Sequence, residues 1–173
     1  MSIPISISKR SLYLAAIGAA LAASGWAFLT LSGPSAAPET TFVLLDGSKM
    51  TTKDFRGKVT MVNFWATSCV TCIAEMPEMI TTYNRFRPQG YEMVAVAMSY
   101  DPPSYVVNYT ETRKLPFKVA IDNTGGVARE WEDVRLTPTT FLLNRRGEIV
   151  KRYIGKPDFD ALHSLIEKLL AEA

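Results

Sequence analysis

The stretch NFWATSCVTCIAEMP, residues 63–77, holds the only two cysteines of the 173-residue chain, Cys69 and Cys72, and a carboxylate, Glu75, three residues further on. Three chemistries are open to such a pair: a structural crosslink, a metal knuckle, or electron exchange. A bridge between Cys69 and Cys72 closes a very small loop, and stabilisation by a crosslink grows with loop length, so a staple here would constrain almost nothing. A zinc site takes about four ligands from Cys, His and carboxylates. The chain offers no second Cys pair and a single histidine, His163, which reads as an ordinary residue of the last helix. Dithiol exchange needs only a thiolate nucleophile and a second thiol close enough to attack the mixed disulfide. On this reading the chain needs no metal and no cofactor beyond the redox-active Cys69–Cys72 disulfide.

The flanking residues say where the pair sits. VTMVNFW (59–65) is a nearly continuous apolar run and predicts a strand buried on both faces. Residues 69–86 predict a helix, because Cys69, Cys72, Ile73, Met76, Met79, Ile80 and Tyr83 fall in one stripe at 100° per residue. Cys69 would then start the helix, where free N–H groups and the positive dipole end favour a thiolate. Cys69 is therefore the attacking, more exposed thiol, and Cys72 is the resolving one. Pro77 cannot donate to the carbonyl of Ile73 and predicts a kink. Glu75 lies about 60° round the helix from Cys72, at the edge of the apolar stripe. Periodicity alone leaves it between a solvated carboxylate like Glu78 and a semi-buried acid.

The remaining elements must hold this junction in place. TFVLLDGSKMT reads as a short hairpin around Asp46-Gly47 or an extended edge segment, TKDFRGK as a turn or one helical turn, YEMVAVAMS (91–99) as a second buried strand, and PPSYVVNYTETRK as a helix. FKVAID (117–122) reads as a strand and TGGVAREWED as a short helix. TTFLLN and EIVKRYIG read as a hairpin around Arg145-Arg146-Gly147. DFDALHSLIEKLLAEA reads as an amphipathic helix starting near Pro157 or Asp158. This order predicts one α/β domain over 41–173, a mixed sheet covered by helices on both faces, with parallel crossovers first and an antiparallel hairpin last.

The N-terminal segment differs in kind. Leu12 to Leu31 is 20 residues without a charge, about 30 Å as a helix and enough to cross a bilayer. It predicts a single-span anchor over 11–32 rather than a cleaved signal peptide, whose apolar core is usually shorter. A small-residue site exists at SAA, but Pro38 would follow the cut. Lys9 and Arg10 should keep residues 1–10 in the cytoplasm and send the later domain out, through a linker at 33–40. No cysteine follows the apolar run, so a lipoprotein anchor is excluded. Apart from Lys9 and Arg10 the chain carries 17 basic against 17 acidic residues. No basic face is implied, which argues against nucleic acid as a partner.

VNFWATSCVTC, the proline loop LTPTTFLLN and the closing GEIVKRYIG resemble the thioredoxin superfamily, and most closely its membrane-anchored, TlpA/ResA-like branch of thiol–disulfide oxidoreductases. The resemblance covers about residues 40–173. It implies a thioredoxin-like fold with an N-terminal extension and a βα insertion, a cis peptide bond at Thr137-Pro138, and a client strand held by Thr137, Pro138 and Trp65. It implies a functional, semi-buried Glu75, through the pattern C-x-x-C-x-x-E-x-P, exchanging protons with Cys72. It also implies disulfide-bearing clients, such as an apocytochrome c or a copper chaperone, and a membrane electron donor of the DsbD or CcdA type. The expected setting is the cytoplasmic membrane, with the domain in the periplasm or outside the cell. Two positions depart from the wider family. Asn63 stands where a buried Asp is common, and Ser68 where a Trp is common. A peroxiredoxin-like peroxidase would want a Thr where Ala66 stands, and a copper-handling module a wider cysteine spacing.

Overall fold

A computed structural model describes residues 34–172. The anchor read at 11–32 and the segment 1–10 lie outside the described residues. Among the described residues no helix is long and apolar enough to cross a membrane.

The domain is an α/β sandwich. Its strands are β1 (Ser35–Ala36), β2 (Thr41–Val43), β3 (Lys49–Thr51), β4 (Val59–Trp65), β5 (Tyr91–Ala97), β6 (Lys118–Ile121), β7 (Thr139–Leu143) and β8 (Glu148–Ile154). Its helices are α1 (Val70–Phe86), α2 (Pro103–Arg113), α3 (Gly126–Glu130) and α4 (Phe159–Ala171). The main sheet runs β1-β8-β7-β4-β5-β6, with β2 and β3 paired apart from it. β4, β5 and β6 are parallel, while β7 pairs antiparallel with both β4 and β8. The sheet is mixed, as the element order predicts.

All seven residues of β4 and of β5 are buried, which is why both read as apolar runs without alternation. Alternate residues feed two cores. Val59, Met61 and Trp65 face one side, with Met76, Met79 and Phe86 of α1, Val106 of α2 and Leu162, Ile166 and Leu169 of α4. Val62 and Phe64 face the other, with Phe42, Phe55, Trp131 and Phe141.

The two faces are covered unequally, which the sequence reading does not anticipate. The three longer helices share the first face. The second is closed by the β2–β3 hairpin, the turn Thr52–Phe55 and the short α3. Aromatic bulk stands in for a helix there. Trp131 packs on Phe42, Phe64 and Phe141 with ring centroids 5.2–6.1 Å apart, and its Nε1 donates to Thr40 Oγ1 at 3.0 Å.

Part of the stretch read as a linker, 33–40, is built into the fold. Ser35 and Ala36 pair with Ile149 and Glu148, and Thr52 Oγ1 donates to Pro38 O. The physical reason is the exposed edge of β8, whose backbone groups accept any extended neighbour. The β7–β8 hairpin turns at Asn144, whose side-chain oxygen accepts from the N–H groups of Arg146 and Glu148. Gly147 there has φ +75°, a conformation glycine adopts without strain.

Helix α4 starts at Asp158, whose side chain accepts from Ala161 N. His163 lies in this helix as the sequence reading has it, and it is also tied to a neighbouring element. Its Nε2 pairs with Thr82 Oγ1 at 2.8 Å and its ring stacks edge-on against Phe86. It fastens α4 to α1 and takes no part in a ligand cluster. Removing the fully buried Leu162 side chain beside it tests how far the site's scaffold depends on α4. Leu162→Ala is expected to cost about 2–5 kcal/mol of unfolding free energy, read as a lower urea midpoint at unchanged slope.

Candidate active site

β4 ends at Trp65, and four residues later the chain turns into α1. Cys69 is the N-cap of that helix, with φ −87° and ψ 105°, and its Sγ accepts from the backbone N–H of Cys72 at 3.2 Å. The helix start therefore aims a free backbone donor and its positive dipole end at the Cys69 sulfur. Cys69 and Cys72 are joined as a disulfide, with Cα atoms 5.2 Å apart. Cys69 is half-buried, whereas Cys72 is fully buried beneath it. This asymmetry matches the assignment of attacking and resolving thiols.

Glu75 is one turn beyond Cys72 and faces the same interior, with only 1% of its surface exposed. At i,i+3 the two side chains start about 5–6 Å apart on the helix. The Glu75 carboxyl accepts from Asn63 Nδ2 at 3.3 Å through Oε1, while Oε2 has no hydrogen-bond partner among the described residues. Burial is the dominant influence and pushes the Glu75 carboxyl up to about 7. The Asn63 hydrogen bond and the Lys156 ammonium oppose that rise, and the nearby Glu78 carboxylate adds slightly to it. Lys156 itself is held 2.6 Å from Glu78, so its charge is largely spent outside the site. Of the two readings periodicity leaves open for Glu75, the structure selects burial. The buried stripe of α1 takes in Glu75 together with Cys72, Met76, Met79 and Tyr83.

Asn63 lies in the middle of β4. Its amide also donates to Thr140 Oγ1 at 2.9 Å, so one side chain links β4, β7 and α1. It occupies the place of an expected buried acid and acts here as a donor to another one.

The proline loop enters from the far side of β4. The Thr137–Pro138 peptide bond is cis. Because Phe64 pairs with Thr139, continuing the antiparallel register sets Pro138 beside Trp65, at the strand end from which the cysteine loop departs. Thr139 Oγ1 donates to Leu136 O at 2.7 Å and Gly155 N to Pro138 O at 2.8 Å. Thr137 is half-buried at the surface, and its Oγ1 pairs with the Tyr100 hydroxyl at 3.2 Å.

Trp65 departs from expectation. Named above as a client contact, it is 0% exposed and stacks on Tyr109 with centroids 5.4 Å apart. It can support the site from beneath but presents no surface to a client. The reason is the strand itself, since β4 is covered on both faces to its last residue. Ser68 and Val70, which flank Cys69, are exposed, and so is Leu136 before the proline loop. Sequence reading missed the loop after β5, where Asp101 accepts from both Thr67 N and Thr67 Oγ1. The signal available was its place at the C-terminal end of a central parallel strand, where sites of α/β sheets gather. Among the described residues no group of three His, Cys, Asp or Glu is placed to hold a metal ion.

The raised Glu75 carboxyl has a direct consequence for stability. A carboxyl lifted from 4.5 to about 7 on folding leaves the native state with more bound protons than the unfolded chain between those values. The favourable contribution of a neutral Glu75 is complete below pH about 4.5 and is lost as pH rises through about 7. Glu75→Gln stays neutral throughout, so urea unfolding should find it gaining on the parent chain from acid to pH about 8. The expected gain reaches about 3 kcal/mol. A constant difference across that range would mean that Glu75 is not buried as an acid.

Comparison with known proteins agrees with this geometry. The Redoxin family model matches residues 32–166. Thiol–disulfide oxidoreductase ResA of Bacillus thuringiensis is 32% identical over 133 residues, which is 77% of this chain and 76% of that protein. ResA of Bacillus subtilis is 35% identical over 136 residues, 78% of this chain and 74% of that protein. The solution structure of a candidate thioredoxin from Neisseria meningitidis aligns with a TM-score of 0.75 at 34% identity, covering 82% of this chain and 93% of the other. With a buried acid behind a dithiol at a strand-to-helix junction, the chain belongs to the Redoxin family as a ResA-like thiol–disulfide oxidoreductase.

Proposed function

We propose that this oxidoreductase works as a reductant of protein disulfides in an extracytoplasmic space. The observation that carries the reading is Glu75, buried one helical turn from Cys72 with a carboxyl that exchanges its proton at about 7. A resolving thiol that is fully buried cannot lose its proton to water directly. A neighbouring acid that titrates near neutral pH provides the acceptor.

The reaction proceeds in two displacements. The Cys69 thiolate, stabilised by the helix start, attacks one sulfur of a client disulfide, forming a mixed disulfide and releasing the other client sulfur as a thiolate. Cys72 passes its proton to Glu75 and attacks Cys69 Sγ, displacing the second client thiolate. The client leaves with two thiolates, which take protons from water, and the enzyme with the Cys69–Cys72 disulfide, two electrons having moved to the client. The Thr137–Pro138 loop holds the client strand during both steps.

The setting is the cytoplasmic membrane, with the domain outside it on the anchor at 11–32. This reading is supported by the uncharged apolar run behind Lys9 and Arg10. In that space the oxidised enzyme is recharged by a membrane electron carrier of the DsbD or CcdA type. An apocytochrome c during cytochrome c maturation is the first candidate client, and a copper chaperone the second, both having cysteine pairs to be kept reduced.

The reduction potential of the Cys69–Cys72 couple tests the direction. It is expected nearer the value of thioredoxin, about −270 mV, than that of DsbA, about −120 mV. A potential at the DsbA end overturns the reductant reading. For Glu75, the Glu75→Gln variant is expected to alter the thiol titration of Cys72. A Cys72 titration unchanged from the parent would remove Glu75 from the mechanism.

A further inference from the structure

We infer that Asp101 is a positioning residue for disulfide exchange, fixing the turn that presents Cys69 and, through Tyr100, tying that turn to the Thr137–Pro138 loop. The inference rests on the reading of Cys69 as nucleophile and of the proline loop as client contact.

Asp101 is 2% exposed and sits four residues past the end of β5. A buried carboxylate is costly unless its oxygens are satisfied. Both are satisfied here, and by one residue. Oδ2 accepts from the Thr67 N–H and Oδ1 from the Thr67 hydroxyl, each at 2.6 Å. Thr67 lies two residues before Cys69, inside the turn in which Cys69 N donates to Ala66 O. The same connection is laced to the strand beneath, because Asp101 N donates to Met98 O and Met98 N to Trp65 O.

In the other direction Tyr100, which is largely exposed, pairs through its hydroxyl with Thr137 Oγ1 at 3.2 Å. Residues 98–101 thus touch both halves of the site, one residue before the cis proline and two before the nucleophile. Charge-assisted hydrogen bonds to a single threonine hold that spacing more tightly than neutral ones would. Exchange requires the client sulfur in line with Cys69 Sγ while its backbone is held at Thr137. A misplacement of about 1 Å can cost on the order of 10²-fold in rate.

The test uses the full chain, reduced, with two substrates: a small aromatic disulfide that reaches Cys69 without the proline loop, and insulin as a protein disulfide. The Cys69 thiol titration is followed alongside. Asp101→Asn and Thr67→Val are each expected to lower kcat/KM on insulin by about 10-fold and to shift the Cys69 titration, with Thr67→Ser restoring both. Tyr100→Phe is expected to raise KM for insulin by about 3-fold with the small-disulfide rate unchanged. Asp101→Asn that melts earlier but keeps the Cys69 titration and both rates within about 2-fold overturns the inference. Should that variant not fold, Thr67→Val behaving like the parent overturns it equally. Cys69→Ser separates the two levels. Exchange surviving there removes the reading of the nucleophile, whereas exchange lost there but intact in Asp101→Asn removes only the role of Asp101.

Discussion

The burial of Val59–Trp65 on both faces and along both edges is the constraint from which the rest of the site follows. A strand so enclosed, with β5 parallel on one side and β7 antiparallel on the other, leaves its chain one exit, at its C-terminal end. The cysteine loop has to emerge there. Antiparallel pairing brings the start of β7, and with it Pro138, to the same end. Parallel pairing brings the end of β5, and with it Tyr100 and Asp101. Nucleophile, client loop and bracing carboxylate meet because three strands share one boundary. Trp65 marks that boundary as the last residue of the enclosed strand before the chain turns towards solvent.

The chemistry depends on a second consequence of the same enclosure. α1 packs against a strand interior that is apolar except at Asn63. A carboxyl entering that interface loses water and gains only one amide donor. Desolvation outweighs the hydrogen bond, so the acid is held near neutral pH instead of staying an anion. Had Asn63 been a second acid, the two carboxyls would have competed for one proton. As an amide it steadies Glu75 and leaves Oε2 without a partner among the described residues.

Much of this is legible in the residues alone. The long apolar runs set the bounds of β4 and the start of β5, which ends two residues before the run does, the stripe from Cys72 to Tyr83 sets α1, and the spacing of Cys69 and Cys72 sets their order of action. The cis bond at Thr137-Pro138 enters through resemblance alone, since nothing in LTPTT distinguishes cis from trans. Three things escape besides the unequal covering of the sheet. Trp65 is implied by the resemblance as a client contact, but β4 is covered on both faces to its last residue. Ser35–Ala36 reads as linker, but an open sheet edge recruits it. Asp101 is one acid among seventeen, and its partner, Thr67, is far from it in sequence.

The sequence by itself determined the local chemistry: a dithiol at a helix start, a buried strand before it, and an acid at a helical spacing that could turn either way. Those features depend on neighbours within a few residues, where periodicity and dipole direction are sufficient. Only the tertiary structure decided that Glu75 is buried and near neutral, that Asn63 is its donor, and that Asp101 reaches Thr67. Each of these depends on which strands lie side by side, and burial and hydrogen bonding between distant segments are properties of that arrangement rather than of any one stretch of chain.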